Sequence, residues 1–388
     1  MLYRIFYKII ERNRVLNRVK LLQEMHILSD KLFIDHAQER DFLWSKWQEA
    51  CKDVHLLQKI QEVQLPWPVA QWSGQLDATY AVQDNISVYQ VVAVDGSQIY
   101  PDKHQGIGCF LINIGSIILR YIPEKSFVSY ASEPFLFVEH ESEGQAQTID
   151  IVNGKREEFE FKRGLDEMLV CSQQYPDVMP LFLFDGSLIF WHLEGKDPVV
   201  KQYFLNCYRL LLEKYYQHQF LMAGYISLPK SKELVSIVRA YLILQGEHYD
   251  TIMQKTRFCT DVHIMEMLLK EGMRSNVFAN KTPLSLEYSD TIRPYFFYMR
   301  TAYELVRVEI PGYIAHSREK VDSVSALIMN QIKKGYGYPV ALAEAHEQAV
   351  VKGIDRDFFY HMLDKVGLTK NRRIISSQKS SKKKRINV

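Results

Sequence analysis

Two segments of the chain share one pattern: VVAVDGSQ, which carries Asp95, and LFLFDGSL, which carries Asp185. In each, an apolar run of strand character delivers an aspartate at its C-terminal end. A glycine that permits a sharp turn and a serine that can hydrogen-bond into it follow. Asp and Gly are ordinary turn residues, so one such segment alone reads as a structural turn. Two of them, each after a fully apolar strand, place two carboxylates at the rim of a sheet if the strands are neighbours. Like charges brought that close repel unless a cation lies between them. Ligands that are all oxygen favour a hard divalent ion, Mn²⁺ or Mg²⁺, over zinc.

Positioning such a rim requires a sheet with helices behind it, and the hydrophobic periodicity supplies both. Residues Tyr89–Val94, Gly108–Ile114, Ser116–Ile122 and Phe135–Glu139 read as strands of a first, antiparallel sheet. Lys155–Cys171 then reads as a helix, Leu181–Phe184 as a buried strand, Pro198–Tyr216 as a helix, Phe220–Ser227 as a strand and Lys232–Leu244 as a helix. This alternation predicts an α/β layer added to the sheet. Strands at Tyr295–Met299 and Leu305–Ile310 and helices at Ser317–Lys334, Val340–Val351 and Arg356–Val366 complete the pattern. No repeat of fixed period is present, which argues against solenoids and propellers.

Ahead of this region, Leu2 to Val63 has no Pro or Gly and repeats apolar residues at helical spacing, predicting two long helices or one broken near Asp35. The LPWP segment, Leu65–Pro68, stops them, because proline has no amide donor and restricts the residue before it. The expected organisation is a helical arm over 1–64, which packs on the body or pairs with another chain. A globular domain over 65–368 and a basic, disordered tail over 369–388 follow. The tail from Lys370 to Val388 has eight Lys and Arg and no acid, so of the net charge of +2 the remainder holds 2 − 8 = −6. Such a tail is either an arm attracted to polyanions or a solvated terminus with no specific role.

The bulk composition, 47% hydrophobic and 24% charged, is that of a chain with a real core. Five scattered cysteines, none in a CxxC pair, indicate neither a disulfide framework nor a thiolate zinc site, and fit a reducing cytoplasm. Neither a secretory leader nor a run long enough to span a bilayer is read from the sequence, so a soluble cytoplasmic protein with no membrane partner is expected.

At this point the chain resembles the NurA family, whose members work in DNA-end resection. The resemblance runs from about Val91 to Val351. Beyond the two Asp-Gly-Ser segments it is carried by AGYISLPKSKELV at 223–235, LLKEGMRSNVF at 268–278, FFYMR at 296–300, RVEIP at 307–311 and GYPVALAEAHEQA at 337–349. It implies a ribonuclease-H-like core with Asp95 and Asp185 as metal ligands, joined by a glutamate from the helix between them. The matching stretch is REEFEFKRGLDE. Glu160 is the first choice there, with Glu157 and Glu167 as alternatives that helical spacing does not separate.

The resemblance also pairs Tyr338 with His346. His346 is a further metal ligand, or a group that positions water and protonates the leaving 3′ oxygen; Tyr338 orients a phosphate or stacks on a base. The implied activity is a Mn²⁺- or Mg²⁺-dependent nuclease, 5′ to 3′ on DNA ends and endonucleolytic on single strands. It would function as a homodimer with a HerA-like hexameric ATPase. A non-catalytic DNA-binding scaffold, or a nuclease of the same fold acting on RNA, are the rival readings.

Four further residues are candidate phosphate contacts: Arg274 and Ser275 in the GMRS segment, and Lys230 and Lys232 flanking Ser231 before a helix. A helix end followed by a strand is the alternative account of the first pair. Glu309, in RVEIP, is either an extra acid at the site or half of an ion pair with Arg307.

Overall fold

The computed structural model describes residues 16–33, 35–83, 86–101, 108–138, 145–178 and 180–370. The basic tail beyond Lys370 lies outside the described residues. Among the described residues eleven strands form one sheet: β1 (Gln71–Trp72), β2 (Thr79–Ala81), β3 (Tyr89–Ile99), β4 (Cys109–Tyr121), β5 (Phe127–Val138), β6 (Pro180–Asp185), β7 (Leu221–Ser227), β8 (Met273–Ser275), β9 (Phe278–Ala279), β10 (Pro294–Arg300) and β11 (Leu305–Pro311). The main path runs β1-β9-β10-β11-β7-β6-β3-β4-β5, with β8 bridging β2 and β10. Towards the β5 edge, β5, β4 and β3 are antiparallel neighbours, while β3, β6 and β7 are parallel. Parallel strands need crossovers, and helices Gln145–Gln174 and Pro198–Gln217 provide them.

The buried strands are apolar on both faces. Val91, Val92, Ala93, Leu181, Phe182 and Leu183 are all fully buried, as expected for strands covered by helices on each side. The helix Gln145–Gln174 packs on β3, β4 and β6, and the helix Val340–Ala349 packs on β3, β4 and β5. Their opposite placement is set by two glycines. A Cβ on Gly96 would meet the side chains of Glu160 and Arg156 on the first helix, and a Cβ on Gly115 would meet the backbone of Ala345, Gln348 and Ala349 on the second. Each glycine lets a helix approach the sheet where a side chain would hold it off.

A second core lies beyond β11. Leu43, Trp47 and Ala50 of helix Ala37–Cys51 and Leu56 and Ile60 of helix Leu56–Glu62 are buried with Val235, Val238 and Ile264 of the body. Within the N-terminal region, therefore, residues 37–62 pack intramolecularly. Helix Arg18–Ile27 buries nothing, and neither Phe33 nor Asp35 is helical. Among the described residues no helix is long and apolar enough to cross a membrane.

Three expected boundaries change. The strands expected at Gly108–Ile114 and Ser116–Ile122 are one strand, because Gly115 sits in unbroken pairing opposite Asp95. β5 begins at Phe127, eight residues before its expected start at Phe135, and pairs β4 along its length. Nor does β3 turn after Asp95. It continues through Gly96 to Ile99, held by β4 as far as the Ile99–Leu111 pair.

Candidate active site

The register of β3 explains why Asp95 is accessible despite standing inside a strand. On one side β3 pairs β4 past Asp95, but on the other its parallel pairing with β6 ends at Val94–Phe184. Beyond that pair the edge of β3 is open. Asp185 is the last residue of β6, and there the expected turn does occur: Gly186 has φ +147°, a conformation that favours glycine. The two aspartates thus flank the point where neighbouring parallel strands part.

Helix Val340–Ala349 brings two more groups to this rim. His346 is 62% exposed, and its Nδ1 lies 2.8 Å from Oδ2 of Asp95. The other Asp95 oxygen accepts from the Gly96 amide at 2.8 Å. Tyr338, just ahead of the helix, donates its hydroxyl to Asp185 and stands edge-on to Tyr225, with ring centroids 5.5 Å apart. The helix is tied down at its far end, where the Ala349 carbonyl accepts from the hydroxyl of Ser97 and, at 2.9 Å, from Asn113. The serine of the first Asp-Gly-Ser segment therefore anchors the helix that carries His346.

The helix Gln145–Gln174 contributes Glu160 from the opposite face. Only 2% of Glu160 is exposed; its Oε1 lies 3.5 Å from Nε of Arg156 and just 2.6 Å from where a Cβ on residue 96 would stand. Burial drives its proton affinity well above that of an ordinary carboxylate; Arg156 opposes the shift, while Glu157, Asp95 and Asp185 reinforce it. Asp185 is likewise pushed up, first by desolvation at the crowded strand end and then by the charge of Asp95, although its side chain still meets solvent. The three carboxylates share one electrostatic neighbourhood.

The two alternatives to Glu160 have other surroundings. Glu167 forms a 2.6 Å ion pair with Arg163 and accepts from Ser116. Glu157 lies 3.3 Å from Nδ1 of His192, and its buried Oε2 has no hydrogen-bond partner among the described residues. Burial pushes Glu157 up to about 7 and His192 down to about 4, so near neutral pH the imidazole is uncharged and their approach is not an ion pair.

Arg156, which the sequence did not single out, is the cation of this cluster. It lies beside Glu160, 3.9 Å from Glu157, and donates to the Gly96 carbonyl at 3.4 Å. Its position one helical turn before Glu160 is the only signal that could have found it. Among the described residues no three His, Cys, Asp or Glu side chains form a ready-made metal cage. The donor set nonetheless suits a hard divalent cation. It comprises three oxygen acids and an imidazole; burial first, and the charge of neighbouring acids after it, raise the proton affinity of Glu160 and Asp185.

The other candidates have different places. Glu309 is 1% exposed and paired with Arg307 at 2.9 Å; its second oxygen accepts from the Ser187 hydroxyl at 2.7 Å and the Leu188 amide at 2.8 Å. It is the ion-pair reading that holds, and the pair also clamps the turn after Asp185. Arg274 is 3% exposed, with its guanidinium bound to Asp322 and the Ser275 carbonyl. Ser275 donates to the Asn276 carbonyl and accepts from the Tyr298 amide. Both hold the sheet together and are not presented to a phosphate. Lys230 is exposed near the Gly186 turn, and Lys232 donates to the Arg257 carbonyl at 2.7 Å.

The strand order β5-β4-β3-β6-β7, with three antiparallel strands followed by two parallel ones and acids at the parting of β3 and β6, defines a ribonuclease-H-like core. The chain belongs to the NurA family: the NurA domain matches residues 89–351. Among solved structures it is similar to a crystal structure of NurA, at 10% identity over 90% of this chain and 97% of that one, with a TM-score of 0.38. It is also similar to prototype foamy virus protease-reverse transcriptase, at 13% identity over 37% of this chain and 19% of that one (TM-score 0.21). A third is Drosophila Piwi, at 11% identity over 69% and 31% (TM-score 0.24). No curated protein matches the chain.

Proposed function

We propose that this protein is a metal-dependent DNA nuclease whose site comprises Asp95, Glu160, Asp185, Tyr338 and His346. The observation that carries the proposal is the open parting of β3 and β6 flanked by Asp95 and Asp185, with the His346 imidazole bonded to Asp95. Bound Mn²⁺ or Mg²⁺ would supply a hydroxide from water and neutralise charge on the attacking and leaving oxygens. Asp95, Asp185 and Glu160 would hold it. With Nδ1 turned to Asp95, His346 keeps Nε2 free to ligate the ion, or to take a proton from water and pass one to the leaving 3′ oxygen. Tyr338 would fix the carboxyl of Asp185 and orient a phosphate or stack on a base.

Family membership supports the finer reading: 5′ to 3′ exonuclease and single-strand endonuclease activity in DNA-end resection and repair, as a homodimer with a HerA-like ATPase. The test is Mn²⁺-dependent degradation of single-stranded DNA, with the same sequence as RNA for comparison. Cleavage of DNA by the wild type and none by Asp95→Ala or Asp185→Ala, both folded, supports the proposal. Cleavage confined to RNA makes the protein a ribonuclease, and robust cleavage by either variant removes the site.

A further inference from the structure

We infer that the cavity on the far side of the Asp185 turn is a pocket for one unpaired DNA base, adjacent to the phosphate handled at Asp185. The inference rests on the nuclease reading. The cavity has a volume of about 570 Å³, within the ~300–1,000 Å³ usual for ligand sites. Gly186 and Ser187 form part of its wall, so it begins one residue, about 3.8 Å between Cα atoms, from Asp185.

Two indoles line it. Trp191, 38% exposed, follows the turn, and Trp67 comes from the LPWP segment. The Trp67 ring is held by its Nε1 bond to the Ser236 carbonyl and by Tyr249, whose ring centroid is 5.8 Å away. Aromatic walls of this kind accept any base by its π-face, which a base inside a duplex does not offer. The charges beneath leave a surplus of acid, because the single guanidinium of Arg307 is shared between two carboxylates, Glu233 and Glu309, each at 2.9 Å. A phosphate is therefore repelled from the interior, whereas the exposed Lys230 attracts it at the rim. Base inward and phosphate outward is the arrangement that satisfies both parts.

Binding is measured by fluorescence anisotropy in EDTA, using a short oligothymidylate and the same backbone with abasic sites. The wild type is expected to prefer the base-bearing strand by about five-fold or more, the least that one stacked base contributes. Trp191→Ala is expected to reduce the preference below about two-fold and Trp191→Phe to retain it, with thermal melts showing both variants folded. An iodouracil strand irradiated on the wild type is expected to cross-link to Trp191 or Trp67. Equal preference in Trp191→Ala, or no preference in the wild type, overturns the pocket. Mn²⁺-dependent cleavage by the wild type is scored separately: cleavage without base preference refutes the pocket alone, and base preference without cleavage refutes the nuclease reading alone.

Discussion

Replacing Glu157 with glutamine separates the burial of this residue from metal binding, and its effect can be worked out in advance. The Glu157 carboxyl titrates near 7 in the folded protein against 4.5 for a free glutamate, with desolvation as the main cause and Arg156 as a partial offset. Below pH 4.5 both the folded and the unfolded chain hold the proton, and there is no penalty. Between 4.5 and about 7 the unfolded chain releases the proton while the folded chain keeps it, so stability falls as pH rises. Above about 7 the folded carboxylate ionises too and the loss levels off. At about 1.4 kcal/mol per pH unit this cap is roughly 3 kcal/mol. Glu157→Gln removes the titration and keeps the shape. Urea unfolding in EDTA is therefore expected to show the variant gaining up to roughly 3 kcal/mol on the wild type between pH 4 and pH 8, with Mn²⁺-dependent cleavage retained. A difference independent of pH, or one that shrinks as pH rises, would refute the reasoning, and loss of cleavage would show that Glu157 is the ligand.

Glu160→Gln is expected to abolish Mn²⁺-dependent cleavage while Glu167→Gln does not, since Glu167 is committed to Arg163; activity assays on the two variants decide it. Gly115→Ala would place a Cβ 2.4 Å from the Ala349 amide, and overpacking against backbone is expected to cost about 1–3 kcal/mol in chemical denaturation and to disturb His346. Mn²⁺ binding is expected to release protons, because burial and like charge raise the proton affinity of Glu160 and the ion must displace what it holds; calorimetry in buffers of different ionisation enthalpy would give identical heats if no proton is released. Deleting Lys370–Val388 is expected to flatten the salt dependence of single-strand binding by about 0.7 in log-log slope for each lost phosphate contact, and an unchanged slope would make the tail a bystander.

The strand-then-helix alternation, the Asp185 turn and the NurA resemblance were legible because they depend on local pattern and motif. What lay beyond reading depends on partners distant in sequence. Asp95 reads as a strand end, but whether β3 continues is decided by β4, and the opening at Asp95 by where β6 stops. Gly96 and Gly115 carry strand-breaking character in the sequence, yet both sit inside strands and their use appears only when two helices arrive on opposite faces. Arg274 looks like a phosphate contact until Asp322, 48 residues away, occupies its guanidinium. Arg307 and Glu309 are the converse: alternation puts them on one face of one strand, and the ion pair between them was one of the two readings left open.

The central claim is that the parting of β3 and β6 holds a divalent metal between carboxylates from both strands. Anomalous diffraction at the manganese edge, from crystals grown with Mn²⁺, tests it most directly. The account predicts a peak within ligand distance of both Asp95 and Asp185, with Glu160 turned from Arg156 towards the ion, and loss of that peak in Asp95→Asn. A peak elsewhere on the protein, or none at this rim at saturating Mn²⁺, would contradict it.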